Sequence, residues 1–120
     1  MDEIWKLGAY KTAELIKSRK ISVTEAVSSS IERIKSKNPM INAVVDDLSE
    51  EALKEAKQLD KSSKNGELKG PLHGVPITIK ENIDQQGYST PNGLVALKDL
   101  IAPGNAPVVD NLKDAGAIII

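Results

Sequence analysis

Residues 70–93 read GPLHGVPITIKENIDQQGYSTPNG, and within them an apolar run, 75–79, stops at Lys80. The VPITI run has the length and β-branched content of a strand, and both of its faces are apolar or uncharged, as in a strand covered on both sides. Pro76 supplies no N–H and so favours the beginning of the strand. The turn-forming sequence ENIDQQGYSTPNG follows. Downstream, Asn105 can cap a last helix that takes Pro107 in its first turn, turns Val108, Val109 and Leu112 inward and stops at Gly116. The apolar stretch 117–120 then reads as a second buried strand. Strand, helix, glycine and apolar strand in succession predict an α/β layer, and the sheet of that layer is unfinished within these residues.

Upstream the character is helical. Leu7, Tyr10, Ala13 or Glu14 and Ile16 give a loose helical period up to about Ser18. Ser22 followed three residues later by Glu25 is a capping box, and Val23, Ala26, Val27, Ile31 and Ile34 form one face, predicting a helix over 23–36 that Asn38-Pro39 ends. Residues 41–45 read as a strand or extended connector. Asp47 and Glu50 repeat the capping spacing, and Ala52, Leu53, Ala56 and Leu59 make the stripe of a helix over 49–62. The chain thus divides into a helical segment, about 1–65, and a lysine-strand and α/β segment, about 70–120.

Composition narrows the function. In 120 residues, 16 basic side chains balance 17 acidic ones, and the three aromatics, Trp5, Tyr10 and Tyr88, form no stacking series, so nucleic acid is not an expected partner. There is no cysteine and one histidine, His73, which excludes a disulfide framework, a thiolate metal site and a histidine cluster. The start MDEIWKLGAYK lacks the apolar stretch of a secretory signal, and no later run approaches the roughly 20 apolar residues of a membrane span. A cytoplasmic protein without a membrane partner is expected. The absence of phenylalanine leaves little aromatic area for a core, which points to a piece of something larger.

Two serine stretches are candidates for nucleophilic chemistry. Ser28-Ser29-Ser30 lies inside the capped helix with no glycine near it, and Gly87-Tyr88-Ser89-Thr90-Pro91 lacks the second glycine of a nucleophile elbow, so both read as a polar helix face and a turn. Lys80 has two readings: a solvated strand end, or a base held where desolvation or positive neighbours favour the neutral amine that can take a serine proton.

The segment GPLHGVPITIKENID, with Gly87, Thr90 and Gly93 after it, resembles the amino-terminal catalytic-lysine segment of the amidase signature family. The resemblance extends back through TAELIKSRKISVTEAVSSSIERIKSKNPMINAVV and EALKEAKQLD and forward through APGNAPVVDNLKDAGAIII. It implies an α/β/α fold with a mixed sheet, no cofactor, an amide substrate, and hydrolysis by a Ser-cis-Ser-Lys triad in which the lysine, here Lys80, deprotonates the bridging serine. Both serines of the family lie in a Gly/Ser-rich segment that these 120 residues do not contain. The resemblance therefore implies the base without the nucleophile, and a chain inactive alone. Glu81, Pro91-Asn92, Leu94 and Asn105 depart from the residues usual in the family, and Leu94 would bear most on substrate access. His73 belongs to the PLHG turn and is expected to pack rather than to react. Two other readings stay open: a non-catalytic module that binds itself or a partner through the unfinished sheet, and part of the A subunit of a glutamyl-tRNA amidotransferase.

Overall fold

A computed structural model describes residues 3–120. Met1 and Asp2, at the start of the helical segment, lie outside the described residues. Four helices and two short strands follow in order: α1 (Ala9–Lys17), α2 (Val23–Ile41), α3 (Ser49–Lys64), β1 (Pro76–Ile77), α4 (Pro107–Asp114) and β2 (Ile118–Ile119). Three helices precede a two-stranded parallel sheet, and α4 lies between its strands, with Pro76 opposite Ile118 and Ile77 opposite Ile119. This is the expected α/β order, with an open sheet.

The start of α2 is over-determined. Ser22 Oγ accepts the Glu25 N–H at 3.1 Å while a Glu25 carboxylate oxygen accepts the Ser22 N–H at 2.7 Å, the reciprocal pair that the spacing predicts. The Ser22 hydroxyl also donates to that carboxylate at 2.8 Å, and the N–H and hydroxyl of Ser22 together hold the Glu25 carboxyl below the usual carboxylate range. A third residue joins them from a distance. Asp60 on α3 accepts the N–H groups of Val23 and Thr24 at 2.7 and 3.0 Å and the Thr24 hydroxyl at 2.6 Å. Two helices are thereby locked together by a carboxylate placed where the positive end of α2 favours it. Asp60→Ala is expected to lower stability by about 2 kcal/mol, because charge-assisted bonds are lost and two backbone donors are left without a protein partner. An unchanged urea midpoint would mean that the Ser22–Glu25 pair suffices.

Between the helices the packing is close because small residues meet: Ala26, Ala52 and Ala56 are all buried with Val23, Val27, Ile31 and Leu59. Ile118 and Ile120 complete this cluster from the sheet side. From α1 the buried residues are Thr12, Leu15 and Ile16, so the apolar stripe is rotated from the predicted one. Tyr10 points to solvent, 82% exposed, and Leu7 packs on the core from the 3-10 turn Ile4–Lys6 and its end. That turn is held by the Arg33 guanidinium, 4.0 Å from the centre of the Trp5 ring, and by the Trp5 N–H donated to Ser29 Oγ at 3.1 Å.

Several boundaries differ from expectation. Helix α2 runs through Pro39 to Ile41. Pro39 falls in the last turns on an exposed face, where its missing N–H costs a single bond. Asn38 then fixes the exit: its side chain both accepts from and donates to the backbone of Val44, each at 2.8 Å. Residues 42–45 are connector and not strand. Asn105 does not cap α4; its carbonyl oxygen accepts the Gln86 N–H at 2.7 Å and its amide donates to Asp110. Val109 is buried in α4 as expected, whereas Val108 faces outward.

The GPLHG turn is docked on the α4–β2 connection by backbone bonds and on α3 by the His73 ring. Leu72 N–H donates to Ala115 O and Gly74 N–H to Gly116 O, both at 2.8 Å, and Val75 O then accepts the Ile118 N–H at 2.9 Å to begin the ladder. Gly74 is required here twice over: its φ is +77°, and a Cβ would lie 2.5 Å from Val23 Cγ2.

Beyond β1 the segment 84–106 forms a loop zipped at its neck. Ala106 N–H donates to Asp84 O, Gly87 N–H to Ala102 O and Ala102 N–H to Tyr88 O, and Ser89 bridges antiparallel to Ile101.

Candidate active site

The expected strand 75–79 is paired only at Pro76 and Ile77, so Lys80 lies three residues past the ladder and does not end it. Thr78 is exposed and Ile79 half-buried, because the face that a further strand would cover is open in this chain. The extended run stops in a tight turn where the Lys80 carbonyl accepts the Ile83 N–H at 2.9 Å. Next to it, a Glu81 carboxylate oxygen accepts the Asn92 N–H at 3.0 Å, with Asn92 in the left-handed region at φ +48°. Glu81 therefore stays engaged with the neighbouring loop. Among the described residues, Lys80 Nζ has neither a hydrogen bond nor an ion pair.

Lys80 is exposed at the wall of a cleft of about 840 Å³. The other walls come from the carboxyl half of α2, through Ile34, Lys37 and Asn38, from Val44 of the connector, from Tyr88, and from Ile119 and Ile120 of the β2 region. The cleft is largely aliphatic with basic side chains, Arg33 and Lys37, on the α2 side. Burial pushes the Tyr88 phenol up, with Glu51 and Asp46 adding to the effect, so the hydroxyl is a neutral donor and acceptor at physiological pH. Sequence reading missed Tyr88 and the end of α2 as cleft walls. They lie far apart along the chain, and no spacing rule joins them.

Neither serine stretch supplies a nucleophile paired with Lys80. Ser29 is occupied with the Trp5 N–H, and Ser89 lines the cleft with no hydrogen bond to Lys80 among the described residues. Thr90 Oγ1 is buried and has no hydrogen-bond partner among the described residues. His73 is 4% exposed, and its ring is held on both nitrogens: Nδ1 accepts the Lys69 N–H at 2.9 Å and Nε2 meets Ser63 Oγ at 2.8 Å. Since Nδ1 is an acceptor, the proton of the neutral ring sits on Nε2, which donates to Ser63. The Ser63 hydroxyl in turn donates to Leu59 O at 2.9 Å. A ring that donates to the serine cannot take its proton, so this pair is not a nucleophile and base.

A model of the amidase family matches residues 25–120. The chain belongs to the amidase signature family. Indoleacetamide hydrolase of Bradyrhizobium diazoefficiens is 55% identical over 118 residues, which are 98% of this chain and 22% of that protein. The A subunit of the glutamyl-tRNA(Gln) amidotransferase of Lachnoclostridium phytofermentans is 40% identical over 98% of this chain and 24% of its own length. Among solved structures, a bacterial aryl acylamidase of the amidase signature family superposes with a TM-score of 0.82 at 32% identity, covering 95% of this chain and 24% of that one. A fatty acid amide hydrolase superposes with a TM-score of 0.90 at 26% identity, over 97% of this chain and 21% of that one. The chain spans about a quarter or less of the length of these relatives. Its fold is that of the corresponding part of an amidase-signature enzyme.

Among the described residues no helix is long and apolar enough to cross a membrane.

Proposed function

We propose that this chain is the lysine-bearing part of an amide hydrolase, with Lys80 as the base of a Ser-cis-Ser-Lys triad whose two serines are carried by polypeptide beyond these residues. The observation that carries this reading is the state of Lys80: in a family member, at the end of the GVPITI run, an amine with no carboxylate partner among the described residues lines a cleft roomy enough for a substrate or a serine loop. The adjacent acid, Glu81, accepts the Asn92 N–H and makes no ion pair with the amine among the described residues. In this reading the bridging serine hands its proton to the Lys80 amine and takes one from the nucleophilic serine. The nucleophile then attacks the amide carbonyl, and the proton returns to the leaving amine.

The 120 residues contain no Gly/Ser-rich loop to provide a nucleophile or backbone donors for the developing oxyanion. The chain by itself is therefore expected to hydrolyse no amide, because a base alone stabilises little of the transition state. Turnover of an arylacetamide by rigorously purified chain, abolished in Lys80→Ala, would overturn that expectation.

A second reading, self-association, is favoured by one observation. Leu94, Val95, Leu100 and Ile101 are exposed together in the zipped loop, and the two-stranded sheet leaves backbone edges unpaired. Sedimentation of the same purified chain tests it: a concentration-dependent shift to higher mass is expected, and a monomer at all concentrations rejects it.

A further inference from the structure

We infer that His73 is a titratable latch that positions the lysine segment: while the ring is neutral it ties the 69–74 turn to α3, and protonation releases the turn. The inference rests on the two bonds that the ring makes. Nδ1 accepts a backbone N–H from Lys69, and Nε2 donates to Ser63 on α3, whose hydroxyl continues to Leu59 O. An imidazolium carries a proton on both nitrogens. The first bond would then set two N–H groups against each other at 2.9 Å, in a place where the ring is almost wholly out of water. A 180° flip of the ring does not restore the bond, since it places Cδ2 where Nδ1 was and Cε1 where Nε2 was, leaving the Lys69 N–H and the Ser63 hydroxyl without their ring partners.

The turn that this ring holds is the one that places β1. Its Leu72 and Gly74 N–H groups bind Ala115 and Gly116, and Val75 O receives Ile118. Lys80 follows six residues after Gly74. Release of the turn thus loosens the sheet pairing and the position of Lys80, while the α2 and α3 core, built from Val27, Ile31, Ala52 and Ala56, contains no titratable group.

The charged groups around the ring set the balance. Burial lowers the imidazole below its ordinary range; the carbonyl of Leu59 and the Asp60 carboxylate on α3 pull it back up, and the Lys69 ammonium of its own loop pushes it down. From the connection between α1 and α2, the Arg19 guanidinium sits on the Ser63 carbonyl at 2.8 Å and adds another positive charge on that side. The α4 to β2 turn meets the His73 backbone through Gly116, which brings no side chain. With the value lowered in the folded chain, an opened turn binds a proton first as pH falls through the usual imidazole range, so acid favours opening.

The inference concerns the same segment as the proposed base, and its bearing on Lys80 rests on that reading. The latch itself is tested without turnover, so the two fail separately. Amide hydrogen exchange on the isotope-labelled chain, corrected for intrinsic rates, is followed from pH 7.5 to pH 5. Protection of Lys69, Gly74 and Ile118 is expected to fall by up to about tenfold per pH unit below the usual imidazole range, while amides around Val27 in α2 hold. His73→Asn and His73→Gln, which keep neutral hydrogen-bonding groups but cannot titrate, are expected to flatten the profile. If neither variant folds, the wild-type profile decides. Equal loss of protection in α2 and in the turn, or a His73 ring that gains its proton with Lys69 still protected, would overturn the latch.

Discussion

Replacing Lys80 by alanine, in a polypeptide that carries this segment together with the family serines, is expected to lower the acylation rate constant by about a hundredfold or more. Folding and substrate binding should change little, because Lys80 is exposed, makes no hydrogen bond or ion pair among the described residues, and contributes nothing to the core. The loss therefore belongs to the transition state and not to the ground state. Lys80→Arg separates two kinds of lysine. If the amine takes a serine proton, arginine should be nearly as poor as alanine, since a guanidinium stays protonated and cannot act as a base near neutral pH. If only positive charge at the cleft wall matters, arginine should restore most of the rate. Single-turnover acylation measured against pH for the three proteins makes the choice, and near-normal acylation by the arginine variant rejects Lys80 as the base. A lysine that merely follows a strand would show neither loss.

The largest expected effect on stability is at Gly74. An alanine there faces two penalties together: about 1–2 kcal/mol for an L-residue in the left-handed region, and about 1–3 kcal/mol for forcing a methyl group into a filled site. The obstacle cannot yield easily. Val23 is fully buried, and its own N–H is fixed by Asp60 at 2.7 Å, so the side chain at 2.5 Å from the new methyl sits on a pinned helix start. A loss of about 2–5 kcal/mol is a large share of the roughly 5–15 kcal/mol that holds a domain folded. Gly104→Ala is the control, because Gly104 has no positive φ, open space around its Cβ position and no helix to cap, and a change within about 0.5 kcal/mol is expected. Urea unfolding followed by circular dichroism compares them. Equal midpoints for the two variants would show that the turn can move off α2 at little cost.

What the sequence makes legible here is local, and what it hides is tertiary. Ser22 and Glu25 are three residues apart, so their reciprocal bonds could be read from spacing, and the start of α2 falls where expected. Asp60 makes three bonds to the same helix start from 36 and 37 residues away, and nothing in its own surroundings marks it. The reading of Pro39 as a terminator failed for a related reason. A proline stops a helix through the bond it removes, and in the exposed last turns losing that bond costs little, while the Asn38 clamp on Val44 that does end the helix is a side-chain geometry. Tyr10 shows the limit of periodicity: its spacing fitted the stripe, but the core chose Thr12, Leu15 and Ile16. At the site, Lys80 and the glycine-rich turn before it stood out because residue types there are unusual together. The cleft walls opposite, Asn38 and Tyr88, are ordinary residues brought near by folding.

The zipped loop has a consequence for how the scaffold tolerates change. Its two ends are joined by rungs from Asp84 to Ala106 and from Gly87 and Tyr88 to Ala102, so the neck closes independently of whatever hangs beyond it. The tip, around 92–98, is exposed nearly throughout. Lengthening such a tip costs only the slow logarithmic growth of loop entropy, about 0.6 kcal/mol for each doubling of its length. That cost falls outside the neck, and so long as an insertion leaves the Asn92 N–H on Glu81, neither Lys80 nor the parallel strand pair behind it need shift. A hairpin, a helix or a foreign peptide inserted near Ala96 would therefore be carried as cargo on a closed stem, which makes this the natural grafting point of the chain.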